Sequence, residues 1–317
     1  MYKWVDLHCH LEWWIPINAL NKIRQDNGKS AIERKSLNWL QDFSKYFWEI
    51  SRSLAKESDF ETATREFLMA QHESWVVYSE FRVAPYHHVV LWWKNFSKIL
   101  SHVKKWIDQA YLNCWIIWKI IIESARQYGK DQINQVFNWM LKCYDNDYIV
   151  GFWIWWVETD WDFTNFDDTL WMCEKYNIPV SLHAGENWSI SNLLYALKNP
   201  IVKRIWHALS FSKIESQDKL KYNNKLIEIC ITSNEHLSKN LLQHPVKEMY
   251  ECKIPISIST DDSMIFDTDF QRELNKLKIM LNLNDNDISF INKNAVSFAF
   301  CNDNIKQQVL KILSWTD

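Results

Sequence analysis

The chain has 317 residues, 47% hydrophobic and 24% charged, with a formal net charge of −3. That length suits one large domain spanning residues 1–317 with a substantial core. The near-neutral balance excludes the basic footprint of a nucleic-acid or anionic-membrane binder. No apolar run approaches the roughly 18 residues of a membrane span. The seven cysteines are odd in number, widely spaced and free of any C-x-x-C pair, as expected of free thiols in a reducing cytoplasm.

Eight short runs rich in Val, Ile and aromatic residues read as strands. They are Val5–His10, Trp75–Val83, Trp115–Glu123, Tyr148–Ile154, Pro179–Ala184, Val202–Ala208, Leu226–Thr232 and Ile254–Thr260. Most are apolar on both faces, the pattern of buried parallel strands. Helical periodicity fills the intervals: Ser30–Lys56, Phe60–His72, Lys94–Leu112, Ser124–Asp145, Asn165–Tyr176, Ser189–Lys198, Ser212–Asn223, His236–Tyr250 and Asp267–Leu283. Asp287–Phe300 and Asn304–Ser314 close the chain. Strands alternating with helices predict an α/β fold, a (β/α)8 TIM-type barrel with extra helices after strand 1 and at the C-terminus.

Four segments carry metal and acid–base chemistry, each at the end of a predicted strand: His8-Cys9-His10, His183-Ala184-Gly185-Glu186, His207 and Thr260-Asp261-Asp262. In a barrel these ends gather on one face. His8 and His10 are two apart and share one side of their strand. Three imidazoles and one carboxylate suit Zn²⁺, and a glutamate, a further histidine and a second aspartate remain for proton transfer. The other histidines (His72, His87, His88, His102, His236, His244) read as surface or cap residues. No G-x-S-x-G turn or phosphate-binding glycine loop is present. His10-x-Glu12 lacks the P-C-x-x-C half of the cytidine-deaminase signature.

With these motifs in place, the chain resembles the adenosine/adenine deaminase family of metal-dependent amidohydrolase-type barrels. Val5–Glu12 looks like the opening "ELHxHL(D/E)G", and Tyr78–Pro85 is similar to "Y-x-E-x-R-x-x-P". His183–Glu186 matches "HAGE", Arg204–Ala208 resembles "RIGHG/A", and Ser259–Asp262 resembles "(N/S)-T-D-D". Cys230–Asn234 with His244-Pro245 looks like "C-x-T-S-N … H-P". The resemblance implies one zinc per chain on His8, His10, His183 and Asp261, and hydrolytic deamination of a small-molecule 6-aminopurine. Adenosine comes first and adenine next; Glu12 in place of aspartate keeps adenine open, because a longer carboxylate shortens the space left for ribose. By the same resemblance Glu186 protonates N1, and His207 orients or deprotonates the attacking water. Asp262 would bond that water or N7, Glu12 would reach the sugar or the far edge of the base, and the backbone at Trp156 would face purine N3. "DLHCH" also resembles the opening of histidinol-phosphatase-type (PHP) phosphoesterases, which offer no place for His-Ala-Gly-Glu or Thr-Asp-Asp. Oligomeric state leaves no signature.

One composition is anomalous: 20 tryptophans against 4 glycines, where average usage predicts about 22 glycines. Trp13-Trp14, Asp160-Trp161-Asp162 and Asn187-Trp188-Ser189 stand where turns are expected, and tryptophan does not take positive φ cheaply. Trp13, Trp156 and Trp206 stand where the family has glycine. These positions predict that many tryptophans are glycine in the living protein, through a stop codon reassigned to glycine. If the indoles are real, the expectation is a catalytically inactive nucleoside-binding barrel.

Overall fold

The computed structural model describes residues 2–34, 40–114, 116–145, 147–155, 158–159, 162–186, 190–237 and 244–314. Eight strands form one parallel sheet in sequence order: β1 (Trp4–His10), β2 (Val76–Val83), β3 (Ile117–Ala125), β4 (Ile149–Trp155), β5 (Val180–Ala184), β6 (Val202–His207), β7 (Leu226–Ile229) and β8 (Ile256–Ile258). The ring closes where Cys9 pairs in parallel with Asp261 and the Asp261 N–H donates to the His8 carbonyl at 2.9 Å. This is the expected (β/α)8 barrel, and all eight predicted strands are present.

Two local expectations are corrected. The helix expected over Ser30–Lys56 is replaced by Ile17–Asp26 and Leu40–Ser51, with no helix at 29–34. Pro16 precedes the first of these, a favoured place because its missing N–H is not needed there. Gly28 ends it: at φ +69° its N–H donates to Gln25 O, and the Lys29 N–H donates to Arg24 O. This double bond is a Schellman stop, which needs a left-handed residue. The seventh strand stops at Ile229, not Thr232, and Ile231–Leu237 is helical. That helix carries Asn234 back over the strand ends.

The barrel interior is not purely apolar. Glu80, Arg82, Arg204 and Glu228, all fully buried, point inward from β2, β6 and β7. Arg204 lies 2.6 Å from Glu80 and 2.8 Å from Glu228, and Arg82 lies 3.0 Å from Glu228. Arg82 also donates to the Leu7 carbonyl at 2.7 Å. Burying these charges is tolerable only because each has a counter-ion and a hydrogen bond. Glu228→Leu leaves Arg82 without its carboxylate and should destabilise the fold by about 3–5 kcal/mol; a urea midpoint equal to that of the parent chain would contradict this assignment.

Candidate active site

The end of β1 presents both of its histidines, rings 5.4 Å apart. Each is oriented from behind by a carboxylate. His8 Nδ1 lies 2.7 Å from Glu228 Oε2, and His10 Nδ1 lies 3.0 Å from Glu123 Oε2. Such contacts hold the proton on Nδ1 and free the Nε2 lone pair, as in metal-ligating histidines. Both Nε2 atoms then face Asp261 Oδ1, at 3.7 Å from His8 and 3.5 Å from His10. Asp261 sits just past β8 with φ +58°. Among the described residues, neither its carboxylate oxygens nor His8 Nε2 has a hydrogen-bond partner.

A second group forms at β5 and β6. Glu186 stands between two imidazoles, 3.2 Å from His183 Nε2 and 3.2 Å from His207 Nε2. The turn that places it depends on Gly185 at φ +85°, where a Cβ would lie 2.6 Å from Ser210 Oγ. The tautomer of His207 follows from its neighbours. The Val246 N–H donates to His244 Nδ1 at 3.1 Å, so His244 Nε2 carries the proton and donates to Asn234 Oδ1 at 3.0 Å. The Asn234 amide then donates to His207 Nδ1, which leaves the His207 proton on Nε2, facing Glu186. His207 and Ala208 both hold positive φ (68° and 49°), strain of the kind concentrated at functional positions.

The expected four-ligand set is therefore divided. His8, His10 and Asp261 converge, whereas His183 groups with Glu186 and His207. The Trp206 indole occupies the ground between. It stacks on His8 at 4.2 Å, meets His183 edge-on at 4.5 Å and covers His207 at 3.6 Å. Trp153 and Trp155 from β4 stack at 5.5 Å beside it, and Trp13 packs at 5.0 Å from His10. Trp13 and Trp14 lie in a short helix, Leu11–Trp14, not the expected turn. Trp156, Trp161 and Trp188 lie outside the described residues.

Several side chains differ from expectation. Glu12 is buried with its Oε1 3.4 Å from His88 Nε2 and 3.4 Å from the Ala84 N–H. His87, His88 and His244, expected at the surface or at caps, are buried, because aromatic side chains of the segments around them (Phe60 and Trp92 among them) enclose the first two. Asp262 is buried at the start of the Ser263–Phe266 helix.

Burial sets the electrostatics. It pushes the imidazoles of His8, His10 and His183 well below the usual histidine range and His207 down to about 3. All four are neutral at physiological pH, the form a metal ligand or proton carrier requires. Burial pushes the carboxyls of Asp261 and Asp262 well above their usual range and Glu12 up to about 8. A divalent cation beside Asp261 would reverse its shift. The donor chemistry of His8, His10 and Asp261 fits zinc; His183 lies edge-on against the Trp206 indole, in the other group.

Sequence reasoning missed the supporting residues. Glu123 and Glu228 orient the histidines. Asp6 accepts from the His8 N–H at 3.0 Å and from Thr260 Oγ1 at 2.8 Å, tying β1 to β8. Their signal was present: an isolated charge inside an otherwise apolar strand is almost never buried without a partner.

A profile of the family described as "Adenosine deaminase" matches residues 18–315, a range that includes His183, Glu186, His207 and Asp261 and begins after His8 and His10. The chain is 23% identical to the adenosine deaminase of Enterococcus faecalis over 317 residues, covering 96% of this chain and 93% of that one. In structure it resembles the adenine deaminase of Arthrobacter aurescens, with a TM-score of 0.88 at 19% identity, covering 99% and 98% of the two chains. It also resembles an amidohydrolase of Burkholderia ambifaria solved with bound Zn, with a TM-score of 0.84 at 17% identity, covering 99% and 92%. Membership sets aside the phosphoesterase reading. With its barrel, its strand-end histidines and a match over most of its length, the chain belongs to the adenosine deaminase family.

Proposed function

We propose that this chain hydrolyses the exocyclic amine of a 6-aminopurine, adenosine first and adenine next, with one zinc held by His8, His10, His183 and Asp261. The observation that carries this reading is the convergence of His8 and His10 Nε2 on Asp261 while carboxylates pin their Nδ1 atoms. When bound, zinc lowers the pKa of a water molecule toward neutrality. The rest is work for the chain's own groups. Glu186, between two neutral imidazoles, gives its proton to purine N1; the two protons of the attacking water then go one back to Glu186 and one to the departing amine as the C6–N bond breaks. Water and the 6-aminopurine become a 6-oxopurine and ammonia. His207, with its proton on Nε2, orients the attacking water by donating to it. Asp262 accepts from the water or bonds N7, and the backbone at Trp156 is assigned to purine N3.

Glu12 bears on the choice of purine. Its buried carboxyl is held against His88 and the Ala84 N–H, and a buried polar group of this kind rejects a ligand that leaves it unpaired. For a chain that truly carries indoles at 13, 156 and 206, a second reading stands: a barrel that binds purine without turnover, since Trp206 covers His207 and lies against His183.

Conversion of adenosine to inosine, followed by the loss of purine absorbance, tests the first reading; retained binding without conversion selects the second. Glu186→Gln should keep its zinc and lose about 10²–10⁴-fold in kcat, the scale of a lost general acid, and unchanged turnover would remove the role given to Glu186. Asp261→Ala should release zinc more readily; a variant still holding one zinc per chain after dialysis against chelator would contradict its place as a ligand.

The burial of His207 also gives a pH dependence. Its folded value of about 3 lies below the ordinary 6.5, so the unfolded chain takes up the proton first. The stability involved is fully present above pH 6.5 and is lost as pH falls toward 3. The urea midpoint of the metal-free chain should fall over that window, and fall less in His207→Gln; parallel curves would contradict the buried neutral imidazole.

A further inference from the structure

We infer that the working protein carries glycine, not tryptophan, at positions 75, 93 and 206, so that one ion can be held by both halves of the divided histidine set. The argument at 206 rests on the zinc reading above; those at 75 and 93 rest on backbone geometry alone.

Position 75 is a helix stop. The helix Asp59–Glu73 ends in Ser74, and Trp75 follows at φ +64° with its N–H donating to His72 O. Gly28 does the same after Ile17–Asp26, at φ +69° with its N–H donating to Gln25 O. The two residues occupy the same left-handed position after a helix, where glycine is strongly enriched and a bulky side chain is an outlier. Position 93 repeats the pattern. It follows the helical turn His87–Leu91 and its cap Trp92, at φ +55°, and the next N–H, of Lys94, returns to His88 O. The Trp93 side chain is 91% exposed. An indole there strains its backbone and buries nothing.

Position 206 shows the same mismatch from the side-chain direction. Trp206 touches His8, His183 and His207 at once, on a strand whose next two residues already hold positive φ. Nearby, Trp13 and Trp153 are fully buried, and among the described residues their indole N–H groups meet no acceptor, a desolvation cost that natural cores avoid. Without a side chain at 206, nothing from that residue separates His183 from His8. A codon read as glycine by the native host, and as tryptophan in the sequence as written, accounts for all three positions and for the shortage of glycine (4 against 20 tryptophans).

The test is peptide sequencing by mass spectrometry on protein purified from its native host. Trypsin releases residues 66–82, 83–94 and 205–213, in which positions 75 and 206 are the sole tryptophans of the first and last peptides. Glycine at 75, 93 and 206 is expected; tryptophan in residues 205–213 overturns the inference. A separate metal-retention cycle tests the zinc reading on recombinant chains. His183→Ala should cause zinc loss in the Trp206→Gly background and change little in the chain with Trp206. If glycine is found at 206 and His183→Ala has no effect on zinc in either background, the residue identities stand and the holding of one ion by both halves is overturned.

Discussion

Glu228, inside the barrel, is met by four groups: Arg82, Arg204, the Ser181 hydroxyl and the ring of His8. Its place in β7 turns a carboxylate that only stabilises charge into one that also aims an imidazole. Glu228 meets both guanidiniums and the His8 ring, and that contact holds the His8 proton on Nδ1. The direction of the Nε2 lone pair is therefore set by the same contacts that make the charged interior tolerable. Glu123 meets the His10 ring from β3 at 3.0 Å. The fold and the candidate chemistry share one set of interactions.

On the other side of the mouth, orientation comes from neutral groups. Val246, His244 and Asn234 form a directional line of donors ending at His207 Nδ1. Each donor in the line fixes the next, so the position of one backbone N–H decides which His207 nitrogen carries a proton. The short β7 is part of this design. Because the chain turns into a helix at Ile231, Asn234 reaches β6. A longer strand, as the apolar pattern suggested, would have carried it past the site.

The indoles between these halves are where local preference and global fold disagree. Natural sequences tend toward agreement between the two, and violations collect at functional sites. Here they collect at helix stops as well, at Trp75 and Trp93, where no chemistry is served. A shared cause across unrelated positions is better sought in the identity of the residue than in the needs of any one place.

The sequence by itself determined the barrel, because buried parallel strands read as apolar runs of regular length between amphipathic stretches. It also determined which residues stand at the strand ends, because motif position within a run is a one-dimensional property. It named His8, His10, His183, Glu186, His207 and Asp261 for that reason. The tertiary structure alone decided what lies between and behind them. Glu228 is 220 residues from His8 and Glu123 is 113 from His10, distances at which no local pattern carries information. The burial of His87, His88 and His244 likewise depends on which elements close over them. The division of the ligand set by Trp206 depends on the reach of one side chain into a space that the sequence does not describe.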